Sequence, residues 1–147
     1  MLYSSIADLY SLYQLFPNIS IDSRKIEKDS IFFALKGDNF NGNTFAEKAL
    51  ELGASFVVID DVTYNVSDKC ILVDDVLTTL QELAVYHRNQ LVIPIIGITG
   101  TNGKTTTKEL LAAVLSAKYK TYCTVGNLNN HIGVPLSILA IKKNAIS

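Results

Sequence analysis

The sequence predicts an α/β protein, with a small N-terminal α/β domain over residues 1–90 and the truncated start of a P-loop ATPase domain over residues 91–147. Three observations carry this expectation. Short apolar runs at Ile31–Leu35, Phe56–Ile59 and Cys70–Val73 alternate with helical patterns, the order of βαβ units. The stretch Gly97–Thr107 is rich in glycine and threonine and lies between an apolar run and a helical pattern. Beyond residue 91 there is one such strand, one helix and one further strand candidate, fewer than a complete P-loop domain needs. The chain is therefore expected to be the N-terminal piece of a longer protein.

The elements follow in order. Leu2–Phe16 reads as a helix with Ile6, Leu9, Tyr10 and Tyr13 on one face, ended by Pro17 and Asn18. Ile19–Asp22 is a short strand, and Ile31–Leu35 is apolar enough to lie centrally in a sheet. Gly37–Asn43 is polar and reads as a loop. Thr44-Phe45-Ala46-Glu47 has the form of a capping box. The helix it opens turns Ala46, Ala49 and Leu50 inward and stops at Gly53. Phe56–Ile59 is the next strand, Asp60–Lys69 is turn-like, and Cys70–Val73 is a further strand. Asp74 and Asp75 cap a helix reaching about Asn89, in which Val76, Leu80, Leu83, Ala84 and His87 recur at helical spacing. His87 reads as a helix-face residue near the C-terminal end, where cationic character is favoured. Ile93–Thr99 is expected as the strand that feeds the glycine-rich turn, Lys104–Ala117 as its helix, and Tyr119–Thr124 as a following strand.

Composition bounds the function. The formal charge is −1, from 13 basic and 14 acidic residues, and no basic block stands out, which argues against nucleic acid as a partner. Cys70 and Cys123 are far apart and lack metal-ligand spacing, so both are expected as free thiols in a reducing compartment. The N-terminus has neither a charged region nor a long apolar core of the secretory type. The most apolar run, Leu91–Ile98, is too short to span a bilayer. A cytoplasmic monomer without membrane insertion is the expectation.

The glycine-rich segment carries the chemistry. A strand, a glycine-rich turn and a helix form a cradle for a triphosphate. Turn amides point inward, and the helix N-terminus adds partial positive charge. Lys104 is placed to reach the β- and γ-phosphates, and Thr105 to ligand Mg²⁺. ATP and Mg²⁺ are the implied cofactors. One position departs from the common signature: Ile98 stands five residues before Gly103, where a glycine is usual.

Thr99-Gly100-Thr101-Asn102-Gly103-Lys104-Thr105-Thr106 resembles the ATP loop of the Mur ligase and folylpolyglutamate synthase superfamily, which lacks that first glycine. Asp22-Ser23-Arg24, then Ile31–Gly37 and Asn41-Gly42-Asn43-Thr44-Phe45, resemble the N-terminal UDP-binding domain of the MurE and MurF types. Gly126-Asn127-Leu128-Asn129-Asn130-His131-Ile132-Gly133-Val134-Pro135-Leu136 is similar to the MurF type. The resemblance implies an ATP-dependent ligase of peptidoglycan precursor synthesis. It would join D-alanyl-D-alanine to UDP-N-acetylmuramoyl-tripeptide through an acyl phosphate. Lys104 would be the catalytic cation and Thr105 the metal ligand. Gly100, Thr101, Asn102, Gly103, Lys104, Thr105 and Thr106 would bind ATP.

For the UDP-linked substrate, Ser23 matches a uracil-contacting position, and Asp38, Asn39 and Phe40 the loop that lines the same site. Asn127 matches a position near substrate and ATP. Turn chemistry is the alternative for Asn127 and Asn130. Asp22 and Arg24 are expected as an internal ion pair, and Gly37 and Gly42 as turn formers. Two other readings stay open: a MurE-type ligase adding the third amino acid, and a UDP-sugar binding module without catalysis. The family's further metal ligands, carbamylated lysine and C-terminal domain find no match here. The 147-residue chain alone is thus expected not to ligate. Phosphate release with UDP-tripeptide, ATP and dipeptide checks this: background release is the expected result, and sustained turnover contradicts it.

Overall fold

The computed structural model describes residues 5–124 and 128–141. Helix α1 (Ile6–Leu15) starts at Ser5, whose hydroxyl accepts the Asp8 N–H at 3.2 Å. Strand β1 (Asn18–Ser20) and strand β2 (Ser30–Phe33) follow. A small antiparallel hairpin, β3 (Lys36–Gly37) and β4 (Phe40–Asn41), leads into a 3-10 turn (Gly42–Phe45) and helix α2 (Ala46–Glu51). Strands β5 (Phe56–Ile59) and β6 (Cys70–Leu72) precede helix α3 (Val76–Gln90). Helices α4 (Lys104–Ser116) and α5 (Gly133–Leu139) complete the described elements.

β1, β2, β5 and β6 form one parallel sheet in the spatial order β1-β2-β5-β6. Ile19 pairs with Ile31, Phe32 with Val57, and Val58 with Ile71. Side chains alternate between the two faces of a strand. Ile31, Phe33, Val58 and Ile71 therefore face α1, α3 and α5, packing with Leu9, Tyr13, Leu80, Leu83 and Leu139. Phe32, Val57, Ile59 and Cys70 face α2, against Ala46 and Ala49. All four β2 residues are buried, as a strand covered on both faces must be. Each large apolar side chain so buried contributes about 1.5–3 kcal/mol.

Several expectations shift. The loop expected at Gly37–Asn43 contains the hairpin. The capping box does not form, because Thr44 lies within the 3-10 turn and its hydroxyl donates to the Asn41 carbonyl at 2.8 Å. α2 begins without a side-chain cap. Asp75, by contrast, caps α3 by accepting the Thr78 N–H at 2.6 Å. His87 lies on the buried face of α3, 2% exposed. Cys70 is buried, and no disulfide joins it to Cys123, as expected.

The largest difference concerns residues 91–124. Neither Ile93–Thr99 nor Tyr119–Thr124 forms a strand. An extended segment needs a partner for its amides and carbonyls, and no strand among the described residues pairs with either one. Val92 is fully exposed, and α4 buries none of its residues. The apolar pattern of this segment thus has no sheet to lie against among the described residues. No helix among them is long and apolar enough to cross a membrane.

A buried polar network ties the hairpin to the sheet. Asn43, fully buried, donates from Nδ2 to Asp60 Oδ1 at 2.8 Å and to Asn41 Oδ1 at 2.9 Å. Its Oδ1 accepts the Asp60 N–H at 3.1 Å. Lys36 Nζ lies 2.8 Å from Asp60 Oδ1. Asp60 Oδ2 accepts the first amide of α3, Val76 N–H, at 3.4 Å. Burial pushes the Asp60 carboxyl up, but Lys36, Asn43 and the Val76 amide outweigh it and hold it below its ordinary value. A carboxyl with a lowered folded pKa adds stability above its unfolded pKa and loses it as pH falls through the folded one. Asn43→Ala leaves buried Asp60 groups without their partner, and should cost about 1–3 kcal/mol in urea unfolding at neutral pH. Lys36→Ala should move the onset of acid unfolding to higher pH; an unchanged onset contradicts the assigned coupling.

Candidate functional site

Two sets of expected site residues are placed by different parts of the chain. The first lies at the carboxyl edge of the parallel sheet, where α/β proteins of open-sheet type hold ligands. Ser23 is on the loop after β1, and the hairpin follows β2, the neighbouring strand. Sheet pairing therefore brings Ser23 and the Asp38–Phe40 tip to one edge. Ser23 is buried, while Asp38, Asn39 and Phe40 are exposed. The Phe40 ring stacks on Phe45, with centroids 5.5 Å apart and planes 17° from parallel. Half of the Phe40 surface stays open, so one aromatic face is held in place without being consumed by the core.

The loop carrying Ser23 is braced from within. Arg24 donates through Nε to Asp22 Oδ1 at 2.9 Å and through Nη2 to Oδ2 at 2.8 Å, a bidentate pair. The Arg24 N–H also reaches Asp22 Oδ1 at 3.0 Å. The side-chain hydrogen bonds from Arg24 pull the Asp22 carboxyl down to about 2. The pair is solvent-exposed and fixes loop shape more than global stability. This is the internal pair expected from the sequence.

The second set is the glycine-rich turn before α4. Gly103 is the residue preceding the helix, with φ of +76°, and Gly100 has φ of +149°. A side chain would strain Gly103 in this left-handed conformation. No side chain caps the α4 N-terminus, which leaves its first amides available to an acceptor. Lys104 is half-buried, and its Nζ donates back across the turn to the Gly100 carbonyl at 2.5 Å. Thr101, Asn102, Thr105 and Thr106 are exposed. The cation, the hydroxyl of Thr105 and the uncapped helix end are thus gathered on one short turn. That donor set suits an oxyanion with a hard cation. Among the described residues no group of three or more histidines, cysteines, aspartates or glutamates could form a protein metal cage.

Asn127 lies outside the described residues. Asn130 performs turn chemistry: its Oδ1 accepts the N–H groups of Ile132 at 3.1 Å and Gly133 at 2.7 Å. The Lys36–Asn43–Asp60 network was not singled out from the sequence as part of a site. Its signal was available, since Lys36 and Asp60 each follow an apolar run and adjacent parallel strands place such residues side by side.

Comparison with known proteins bears on both sets. Residues 16–97 match the family model "Mur ligase family, catalytic domain", and residues 98–147 match "Mur ligase middle domain". A UDP-N-acetylmuramoyl-tripeptide–D-alanyl-D-alanine ligase of Bacillus subtilis is 45% identical over 128 residues, covering 86% of this chain and 28% of the relative. The Synechocystis enzyme of the same name is 43% identical over 126 residues, covering 84% and 28%. The chain thus spans little more than a quarter of the length of these relatives. Among solved structures, MurF ligase from Thermotoga maritima in complex with ADP aligns with a TM-score of 0.77 at 36% identity, over 86% of this chain and 29% of that one. A MurF from Acinetobacter baumannii aligns at 0.78 and 35%, over 86% and 28%. With more than half of its residues matched by one family model, and with the sheet edge and glycine-rich turn in place, the chain belongs to the Mur ligase family.

Proposed function

We propose that this chain contributes the UDP-substrate edge and the ATP loop of a MurF-type ligase. The reaction is the ATP-dependent joining of D-alanyl-D-alanine to UDP-N-acetylmuramoyl-tripeptide in peptidoglycan precursor synthesis. The observation that carries the reading is the turn Gly100–Thr106, where a lysine and an uncapped helix start converge. The relatives' name, and the ADP bound to the Thermotoga protein, support it.

The physical difficulty of this reaction is the repulsion between a peptide carboxylate and the γ-phosphate. Lys104 supplies a mobile cation: its Gly100 carbonyl partner is neutral and readily exchanged for a phosphate oxygen. The α4 amides and dipole offset further charge. Gly100, Thr101, Asn102, Gly103 and Thr106 shape the cradle. Thr105 would hold Mg²⁺, which binds through few protein ligands and through phosphate oxygens. The ion supplies charge neutralisation when bound. The acyl phosphate formed on the tripeptide carboxylate would then be attacked by the dipeptide amine, with release of phosphate. Ser23, Asp38, Asn39 and Phe40 would hold the uridine end, with Phe40 offering a face to the base and Asn39 a carboxamide to its edge. Asn127 would lie near substrate and ATP. The domain division at residues 90/91 assigns the two ligands to successive parts of the chain. A monomer in the cytoplasm fits this use of soluble precursors.

Calorimetric titration tests the assignment. Both ATP–Mg²⁺ and UDP-N-acetylmuramoyl-tripeptide should bind. Lys104→Ala should weaken ATP at least about tenfold, about 1.4 kcal/mol, and leave the UDP ligand unaffected. UDP binding with no ATP binding would instead favour a binding module, and unchanged ATP affinity in the variant would remove Lys104 from the site.

A further inference from the structure

Helix α5 follows the glycine-rich turn by some thirty residues, yet it packs against the N-terminal unit. Leu139, 1% exposed, joins the core formed by α1, α3 and one sheet face, with Ile132, Leu136 and Ile138 packed against it. Three side chains of that unit reach its backbone. Gln81 Nε2 donates to the His131 carbonyl at 3.0 Å. The Tyr13 hydroxyl donates to the Leu139 carbonyl at 2.5 Å. His87 Nε2 lies 2.7 Å from the Ile141 carbonyl. A carbonyl only accepts, so Nε2 carries the proton. In the neutral ring Nδ1 then accepts from the Tyr10 hydroxyl at 3.2 Å.

Carbonyls at and just beyond a helix C-terminus lack intrahelical donors. Tyr13 and His87 serve two of them, at Leu139 and Ile141. Burial pushes the Tyr13 phenol up to about 12, so it remains a donor through the neutral range. At the other end of α5, Gln81 holds the turn that Asn130 folds. That turn is tight: a Cβ on Gly133 would meet the Leu128 Cα at 2.7 Å. The three donors therefore hold the chain before the first turn of α5, at its last residue and just beyond it.

We propose that Gln81, Tyr13 and His87 form a clamp through which the UDP-binding unit sets the position of the asparagine-rich turn Leu128–Gly133. They are positioning residues: each bonds a main-chain carbonyl of α5 or of the residues flanking it. The proposal rests on the ligase reading, in which the residues just before this turn lie near substrate and ATP. One rigid body would then hold both the uridine end of the substrate and a loop at its reacting end, which shortens the search for a productive geometry.

Hydrogen exchange on the chain tests the clamp. In Gln81→Ala/Tyr13→Phe, amides of residues 130–140 should exchange at least about tenfold faster, with β2 and β5 unchanged, as expected for local opening. Tyr13→Phe keeps the ring and its packing. His87→Gln, which retains a donor, should protect α5 better than His87→Leu. Unchanged α5 exchange in the double variant overturns the clamp. The positioning role is read in a protein of the relatives' full length. There the double variant should lower kcat about tenfold, with KM for the UDP-linked tripeptide within about twofold. Loosened α5 with unchanged kcat overturns the positioning role. Absence of ligation by the unsubstituted protein refutes the ligase reading, and the exchange result still decides the clamp.

Discussion

The parallel sheet, and the ligand edge it carries, depend on the burial of β2 on both faces. Ile31 and Phe33 require α1 and α3 on one side, and Phe32 requires α2 on the other. With its faces closed and its edges paired to β1 and β5, β2 can deliver the chain in only one direction: out at the carboxyl edge, into Lys36 and the hairpin. Parallel pairing does the same for β5, which ends at Ile59 and delivers Asp60 to the same edge. The Lys36–Asp60 contact and the buried Asn43 are consequences of that geometry. They hold the hairpin to the sheet while its tip, Asp38–Phe40, stays open to solvent.

The two candidate ligand regions use opposite strategies. At the sheet edge Lys36, Asn43 and Asp60 satisfy one another, as do Asp22 and Arg24, and the exposed groups are a hairpin tip, one aromatic face and a braced loop. Shape and directional hydrogen bonds suit a nucleotide base there. At the glycine-rich turn the donors are held by weak, replaceable partners: Lys104 rests on a main-chain carbonyl, and the α4 amides have no side-chain cap. Under the proposed function these donors would turn to the phosphates. α5 packs on the N-terminal sheet unit: Asn130 folds the turn before it, Gln81 holds that turn, and Tyr13 and His87 bond the carbonyls at its other end.

The fold of the first ninety residues was legible because its signals are local. The strands at Phe56–Ile59 and Cys70–Leu72 follow from short apolar β-branched runs, and Asp75 caps α3 as its position ahead of a helical pattern predicts. Local signals failed where a neighbour decides. Thr44 and Glu47 spell a capping box, but Asn41 and Asn43 first impose a 3-10 turn that places Thr44 inside helical backbone. Ile93–Thr99 has a strand's composition, and a strand needs a partner that the described residues do not offer. His87 reads as a helix-face residue near a C-terminal end, and its partners on α1 and just beyond α5, dozens of residues away in sequence, are what the sequence does not show. The glycine-rich turn itself was legible because the glycines, Lys104 and Thr105 act within a few residues of one another. The Asp60 network was not, because it joins residues through sheet register.

In the proposed function one chain presents a uridine-binding sheet edge and a separate phosphate-binding turn. Backbone amide shift mapping tests it most directly, with UDP-N-acetylmuramoyl-tripeptide and ATP–Mg²⁺ added in turn. The account predicts that the first ligand moves Ser23, the Asp38–Phe40 tip and Asn41–Asn43, and that the second moves Gly100–Thr106. Shifts from both ligands confined to one of these regions, or a UDP ligand that leaves the sheet edge unmoved, would contradict it.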